Sequence, residues 1–282
     1  MKVLVTGVNG QLGHDVVDEL KKLSVDCIGC DRNDFDITDK KSTLNFIEKY
    51  NPDGVIHCAA YTAVDKAEDD TENCRKVNVD GSENIALACE KTGAKMIYVS
   101  TDYVFGGDGE NPYEVMDKKA PQNVYGKTKL EGEEKVLSIC SKTFVVRTSW
   151  VYGINGNNFV KTMRRLAETR DELSVVADQI GSPTYTRDLA ELLCQMVQSD
   201  KYGIYHATNE GFMSWADFAE KIMEKSKLNT KIKHISTAEY PVRAKRPLNS
   251  RLSKKCLIDN GFSLLPAQDD ALERYIEELN QI

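Results

Sequence analysis

The chain has 282 residues, is 41% hydrophobic and 29% charged, and carries a formal net charge of −7; it is long enough to bury one large core or two unequal ones. The acidic balance argues against general affinity for nucleic acid or an anionic membrane, and leaves backbone amides and a few guanidinium groups to hold any anionic ligand. No apolar run reaches the ~18 residues of a membrane span. Met1-Lys2 leads straight into VLVTG with no signal-peptide pattern, so a cytoplasmic protein is expected.

In chain order, KVLVT, DCIGC, GVIHC, KMIYVS and FVVRTS read as strands rich in Val and Ile. Between them QLGHDVVDELKKL, KKSTLNFIEKY, TENCRKVNVDGSENIALACEKTG and YGKTKLEGEEKVLSIC show apolar residues at helical spacing. This alternation predicts an α/β fold, a doubly wound parallel sheet of Rossmann type. After Trp150 the spacing predicts a helix over 157–169, a strand at LSVV, a helix at RDLAELLCQMVQ and a strand at GIYHA, the two strands completing the parallel sheet. Ser214 with Asp217 three residues on has the form of a capping box opening a helix to Lys225. A strand-like IKHIS, an irregular EYPVRAKRPLNSRLS and two helices near Lys254–Asp259 and Asp269–Gln281 follow. The expected division is a dinucleotide-binding domain of residues 1–150 and about 172–210, with a substrate lobe of about 151–171 and 211–282. The eight cysteines read as small buried thiols. Cys27-x-x-Cys30 has no second pair and lies in a strand, which disfavours a metal or redox site.

Gly7, Gly10 and Gly13 stand between the first strand and the first helix. Glycine there permits a tight turn and close approach of backbone to a pyrophosphate. The helix start, with Gln11 and Leu12 between the glycines, offers free N–H groups and a positive dipole end. Asp31 ends the second strand, where a carboxylate accepts bonds from the adenosine ribose hydroxyls and repels a 2′-phosphate. NADH is therefore favoured, while the adjacent Arg32 keeps NADPH open. Asp36 and Ile37 sit in a loop within reach of the adenine, and Ala59, Ala60, Tyr61 and Thr62 follow the third strand at the carboxyl edge where such cofactors lie. Val99 ends the fourth strand on the same edge.

Tyr125 and Lys129 are four apart at the start of a helix and project from one face. An ammonium beside a phenol is expected to lower the phenol's pKa and make it a proton donor or acceptor near neutral pH. A hydroxyl from Ser100-Thr101-Asp102 can bond the oxygen on which charge develops. His14, His57, His206 and His234 show no metal spacing, and His57 reads as a strand-end packing residue.

The stretches TGVNGQLG, AAYTAVDKAE, VNVDGSEN, STDYVFGG, NVYGKTKLEGE, RTSWVYG, GNNFVKTM, DQIGSPT and RPLNSRL run from residue 6 to residue 252. In them the chain resembles the dTDP-4-dehydrorhamnose reductases, a family of extended short-chain dehydrogenases/reductases. The resemblance implies NADH- or NADPH-dependent reduction of the 4-keto group of dTDP-4-dehydro-L-rhamnose to dTDP-L-rhamnose, for cell-surface polysaccharide. It implies that Tyr125 delivers the proton, that Lys129 tunes it and holds the nicotinamide ribose, and that Thr101, with Ser100 its nearest competitor, supplies the catalytic hydroxyl. It further implies that Asp102, Trp150 and Asn249 border the sugar nucleotide and that Arg246 meets the diphosphate. Mg²⁺ enters through the resemblance alone, since no carboxylate site for it can be placed in the sequence. The partner expected is the nucleotide sugar, with a homodimer as the candidate assembly. His57-Cys58 departs from the small Asn-Ala-like pair expected there. Two alternatives stay open: another nucleotide-sugar reductase, epimerase or dehydratase, and a noncatalytic dinucleotide-binding regulatory subunit.

Overall fold

The computed structural model describes residues 1–281. The first half runs β1 (Lys2–Thr6), α1 (Gln11–Lys22), β2 (Asp26–Cys30), α2 (Lys40–Tyr50), β3 (Gly54–His57), α3 (Val64–Ala67), α4 (Thr71–Arg75), a π-helical segment (Lys76–Gly81), α5 (Ser82–Thr92), β4 (Lys95–Thr101), α6 (Val124–Ile139) and β5 (Thr143–Thr148). The second half runs β6 (Val151–Tyr152), α7 (Phe159–Ala167), β7 (Glu172–Val176), β8 (Ile180–Gly181), β9 (Thr184–Tyr185), α8 (Thr186–Val197), β10 (Gly203–His206), β11 (Met213–Ser214), α9 (Trp215–Lys225), β12 (Lys231–Ile235), α10 (Lys255–Asp259) and α11 (Gln268–Leu279).

Six strands form one sheet in the order β2-β1-β3-β4-β5-β10, and every neighbouring pair is parallel. Parallel sheets need cover on both faces, which is why β5 is buried along its whole length. On one face Leu12, Val16 and Leu20 of α1 pack with Leu189, Leu193 and Val197 of α8. On the other, Ile47 of α2, Ile85 and Cys89 of α5 and Val136 of α6 close the core. Cys27 and Cys30 fall on opposite faces of β2 and belong to these two separate clusters. The strand order reverses between β1 and β3, and in open α/β sheets the ligand crevice lies outside the carboxyl ends at that point.

GIYH joins the sheet edge as β10, beside β5. The LSVV strand does not complete the sheet: as β7 it pairs in parallel with β12 in a separate two-stranded sheet. Its burial alternates, with Leu173 and Val175 inside and Ser174 out. One wet face suits a peripheral strand and not one covered on both sides. Leu173 and Val175 pack with Val160, Met163, Phe218, Ile222 and Leu272 in a second core built from α7, α9 and α11. The helix expected over 157–169 is shorter, Phe159–Ala167, because Asn158 caps it by accepting from the Lys161 amide. The Ser214–Asp217 capping box is present at α9.

One buried ion pair ties α6 to this sheet. Arg147 on β5 donates to both carboxylate oxygens of Glu133 on α6, at 2.9 and 2.7 Å, with the two side chains 1% and 2% exposed. Removing one member of a buried pair leaves an uncompensated charge, at a cost of about 3–5 kcal/mol, whereas an apolar replacement of both is often near neutral. Arg147→Met should therefore destabilise the protein by about that amount. The double variant Arg147→Met/Glu133→Leu should regain at least half of the loss, as read from urea denaturation midpoints.

Candidate active site

The glycine turn between β1 and α1 is set by contact. Gly7 has φ +73°, and a Cβ there would lie 2.7 Å from the Ala59 nitrogen. A Cβ on Gly13 would lie 2.4 Å from the Gly7 carbonyl oxygen, so strand and helix meet with no room for a side chain. Gly10 caps α1 in extended conformation, and Gln11, Leu12 and Gly13 head the helix, where amides have no intrahelical partner. The Gln11 carboxamide oxygen accepts from Gly153 N and Asn158 Nδ2, both at 2.9 Å, and so joins the turn to the segment before α7.

The turn opens on a cleft of about 1270 Å³ at the carboxyl edge of the sheet. Gly7, Gly10, Gln11, Leu12 and Gly13 line it, as do Asp31, Arg32, Asp36, Ile37, Ala59, Ala60, Tyr61, Thr62, Val99, Tyr125 and Lys129. All the residues expected at a dinucleotide thus share one surface. Asp31 accepts from the Asn33 amide at 2.6 Å and from Asn9 Nδ2 at 2.5 Å. These bonds hold its carboxyl below the usual carboxylate range. The Cβ-free turn, the open helix start and this ionised carboxylate together fit a dinucleotide's pyrophosphate and adenosine ribose.

Farther along the cleft stand Thr101, Asp102, Tyr125, Lys129 and Trp150. Tyr125 lies in the first turn of α6, whose start is fixed by Asn123 Oδ1 accepting from Gly126 N at 2.8 Å. Glu68 also accepts there, from Val124 N at 2.8 Å. Tyr103 packs edge-on against the Tyr125 ring, with centroids 5.5 Å apart. Lys129 is 2% exposed. Its ammonium donates to the Val99 carbonyl at 2.8 Å and sits 4.0 Å over the Tyr98 ring.

Burial governs the electrostatics. It pushes the Tyr125 phenol well above its ordinary value, against a hydrogen bond with Thr101. It also brings Lys129 down to about 7, although Glu133 pulls the other way. The expected lowering of the phenol by the ammonium is therefore reversed, because loss of water outweighs it and the Lys129 donor is directed at Val99. Asp102, 3% exposed, is raised to about 6 by burial. Its Oδ1 accepts from Thr101 at 2.9 Å, while Oδ2 has no hydrogen-bond partner.

The two hydroxyl candidates separate cleanly. Both line the cleft, but Ser100 Oγ is committed to Glu133 at 2.5 Å, whereas Thr101 Oγ1 donates to Asp102 at 2.9 Å. Trp150 holds φ +50° and stacks on Trp215 with centroids 3.7 Å apart.

Arg246 and Asn249 do not join the lining. Arg246 donates to the Tyr103 hydroxyl at 2.9 Å and pairs with Asp65 at 2.5 Å. Asn249 is 2% exposed and its amide donates to the Asn111 and Asp108 carbonyls, at 2.9 and 3.3 Å. Sequence reasoning passed over Tyr103, which abuts Tyr125, and Glu133, whose signal was its place four residues after Lys129. Among the described residues Asp217, Glu220 and His234 bring possible metal-ligand atoms within 4.8 Å of one another. None of them lines the cleft, and Asp217 already caps α9. No helix among the described residues is long and apolar enough to cross a membrane.

Comparison with known proteins agrees with this geometry. The RmlD substrate binding domain family model matches residues 1–281. The chain is 42% identical to the Bacillus subtilis spore coat polysaccharide biosynthesis protein SpsK, over 98% of this chain and 97% of that one. It is also 42% identical to the dTDP-4-dehydrorhamnose reductase of Aggregatibacter actinomycetemcomitans, over 94% and 95% of the two chains. The crystal structure of dTDP-4-dehydrorhamnose reductase from Bacillus anthracis in complex with NADP superposes with a TM-score of 0.96 at 42% identity, covering 98% of this chain and 99% of that one. The chain belongs to the dTDP-4-dehydrorhamnose reductase family of the extended short-chain dehydrogenases/reductases.

Proposed function

We propose that this chain is an NAD(P)H-dependent oxidoreductase that reduces the 4-keto group of dTDP-4-dehydro-L-rhamnose to dTDP-L-rhamnose, in nucleotide-sugar biosynthesis for cell-surface polysaccharide. The observation that carries the reading is the convergence of Thr101, Tyr125 and Lys129 on the cleft that the glycine turn opens, in a chain 42% identical to a named reductase over nearly its full length. When bound, the nicotinamide cofactor supplies the hydride. Gly7 and the head of α1 hold the pyrophosphate, Asp31 the adenosine ribose, and Lys129 the nicotinamide ribose. Tyr125 gives its proton to the substrate oxygen, and Thr101 turns its hydroxyl from Asp102 Oδ1 to donate to the same atom. Burial suits the donor, because a phenol whose pKa is raised keeps its proton at neutral pH. Asp102, with one unpartnered oxygen, accepts from a sugar hydroxyl, and Trp150 forms a wall on its Trp215 backing. Arg246 and Asn249 serve as supports for this pocket and not as contacts to the substrate. Asp31 favours NADH over NADPH, and Arg32 beside it tempers the preference.

Tyr125→Phe removes the proton and keeps the ring packing on Tyr103. Turnover with the dTDP-4-keto sugar should fall by about 10²–10⁴-fold, the usual worth of general acid catalysis, with cofactor affinity kept. Wild-type turnover in the folded variant would sink this assignment.

Lys129 contributes its charge only while protonated, and its lowered value of about 7 sets the window. NADH affinity should be full below pH 7 and weaken as pH rises through that value. Lys129→Met should bind NADH more weakly at pH 6 and show no such pH dependence. A wild-type affinity flat from pH 6 to 9 would remove the ammonium from the ribose.

Asp31→Ala removes the repulsion of a 2′-phosphate and leaves Arg32 in place. The ratio of kcat/KM for NADPH over NADH should rise by about tenfold or more, corresponding to at least ~1.4 kcal/mol. An unmoved ratio would show that the carboxylate does not face the ribose.

A further inference from the structure

His57, the residue that breaks the sequence pattern, is 1% exposed at the end of β3, and Thr6 is its direct partner across the ladder at the end of β1. Both ring nitrogens are engaged. Nδ1 lies 2.7 Å from Thr6 Oγ1, and Nε2 lies 3.2 Å from Ser82 Oγ. The flanking bonds fix the direction of the chain. Thr6 Oγ1 accepts from the Ala59 amide at 3.2 Å, and Ser82 Oγ donates to the Asn78 carbonyl at 2.8 Å. With the only Ser82 proton used there, Nε2–H donates to Ser82 and Nδ1 accepts from Thr6. Burial drives the imidazole pKa down to about 3, which keeps this single tautomer neutral. Beyond Ser82 the path ends on Tyr61, two residues past Ala59, and the chain between them closes it. The Asn78 side chain accepts from the Tyr61 amide at 2.8 Å and donates to the Tyr61 carbonyl at 3.2 Å. The same amide lies 3.1 Å from the Thr128 hydroxyl, beside Lys129 on α6.

We infer that His57 is a positioning residue for cofactor binding: its two ring nitrogens close a buried hydrogen-bond circuit that clamps Ala59 and Tyr61 at the cleft wall. The inference rests on the reading of the cleft as a dinucleotide site. Ala59 needs the clamp because it is the segment against which Gly7 packs with no space for a side chain. Moving Ala59 therefore moves the turn that meets the pyrophosphate. A π-helical segment carries Asn78, and such irregular turns re-aim backbone groups at the cost of regular bonds. Here the Asn78 carbonyl meets Ser82 Oγ, and the Asn78 side chain bonds both backbone groups of Tyr61. A neutral, fully bonded imidazole acts through geometry and takes no part in proton transfer.

The test uses His57→Leu, which fills the space and breaks both arms, with Thr6→Val and Ser82→Ala breaking one arm each. Three quantities are read: amide exchange at Ala59 and Tyr61 without added cofactor, the Kd of NADH and NADPH, and kcat on the dTDP-4-keto sugar at saturating cofactor. In His57→Leu the two amides should exchange at least about tenfold faster. Kd should rise about tenfold, equivalent to ~1.4 kcal/mol, while kcat stays within about twofold. Ser82→Ala added to His57→Leu should change little further, since Nε2, the ring atom Ser82 meets, is already gone. A folded His57→Leu with unchanged Kd, or one that loses kcat with Kd intact, would overturn the inference. Should His57→Leu fail to fold, Ser82→Ala decides: faster exchange at Tyr61 with weaker cofactor binding supports the circuit, and wild-type values overturn it. Wild-type protein that binds neither dinucleotide would sink the cofactor reading instead, while amide exchange would still report on the clamp.

Discussion

The carboxylate of Glu133 is the constraint on which the rest of the site depends. Tyr125, Lys129 and Glu133 recur at every fourth residue of α6, so one helix face carries all three. The first two must reach the cleft while the third is driven into the core. There Ser100 and Arg147, direct partners across the β4–β5 ladder, both donate to it. A single carboxylate thus reads the register of two strands at once. Sliding or rotating α6 would break three bonds to a buried charge, a far larger penalty than the few tenths of a kcal/mol of ordinary surface pairs. Arg147 extends the same fixture outward, to the Val115 carbonyl at 2.9 Å and to His206, whose other nitrogen meets Ser253 O. Chain segments far apart in sequence are thereby referred to one point behind Tyr125.

Once α6 is held, dryness does the rest. Tyr125 and Asp102 are raised and Lys129 is lowered by the same cause, the loss of water around them. Each group is moved toward its neutral form. A proton donor benefits, because the phenol is protonated when substrate arrives. A raised pKa also makes a weaker acid, so rate enhancement has to come from groups that bind the oxygen as charge develops on it. The Thr101 hydroxyl lines the same cleft as Tyr125 and bonds Asp102. The Lys129 ammonium is aimed at Val99 and the Tyr98 face. Its donor is therefore directed at the β4 backbone and not at the phenol.

What the sequence made legible was whatever depends on local backbone. Glycine spacing, strand–helix alternation and the four-residue step from Tyr125 to Lys129 are all short-range, and the structure brings those residues to one cleft. Strand membership beyond the first five was harder. LSVV and GIYH look alike in composition, and only the alternating burial of β7 against the fuller cover of β10's end separates them. That difference is made by what packs on each strand, which a window of residues does not contain. Long-range polar pairing was equally opaque. Nothing local to Glu133 or Arg147 marks either for burial, and His57 read as packing until Thr6 and Ser82 supplied partners for its two nitrogens.

The RPLNSRL segment shows that the same residue chemistry can serve a ligand or a wall. A guanidinium suits a diphosphate, but it equally suits a carboxylate and a phenol oxygen, and Arg246 has one of each in Asp65 and Tyr103. An asparagine can border a sugar, yet Asn249 has already committed its donors to Asn111 and Asp108 and its acceptor to Arg251. Its backbone amide bonds Gly107, and the next amide, of Ser250, bonds Ile180. Ser250 is 3% exposed, like Asp102, whose Oδ2 is the unpartnered oxygen in the cleft. The segment therefore constrains the pocket from behind. Through Arg246 it bonds Tyr103, whose ring packs edge-on against Tyr125. A motif can be specific to a family because it builds the wall of a site, and such residues touch the reaction only through the side chains they position.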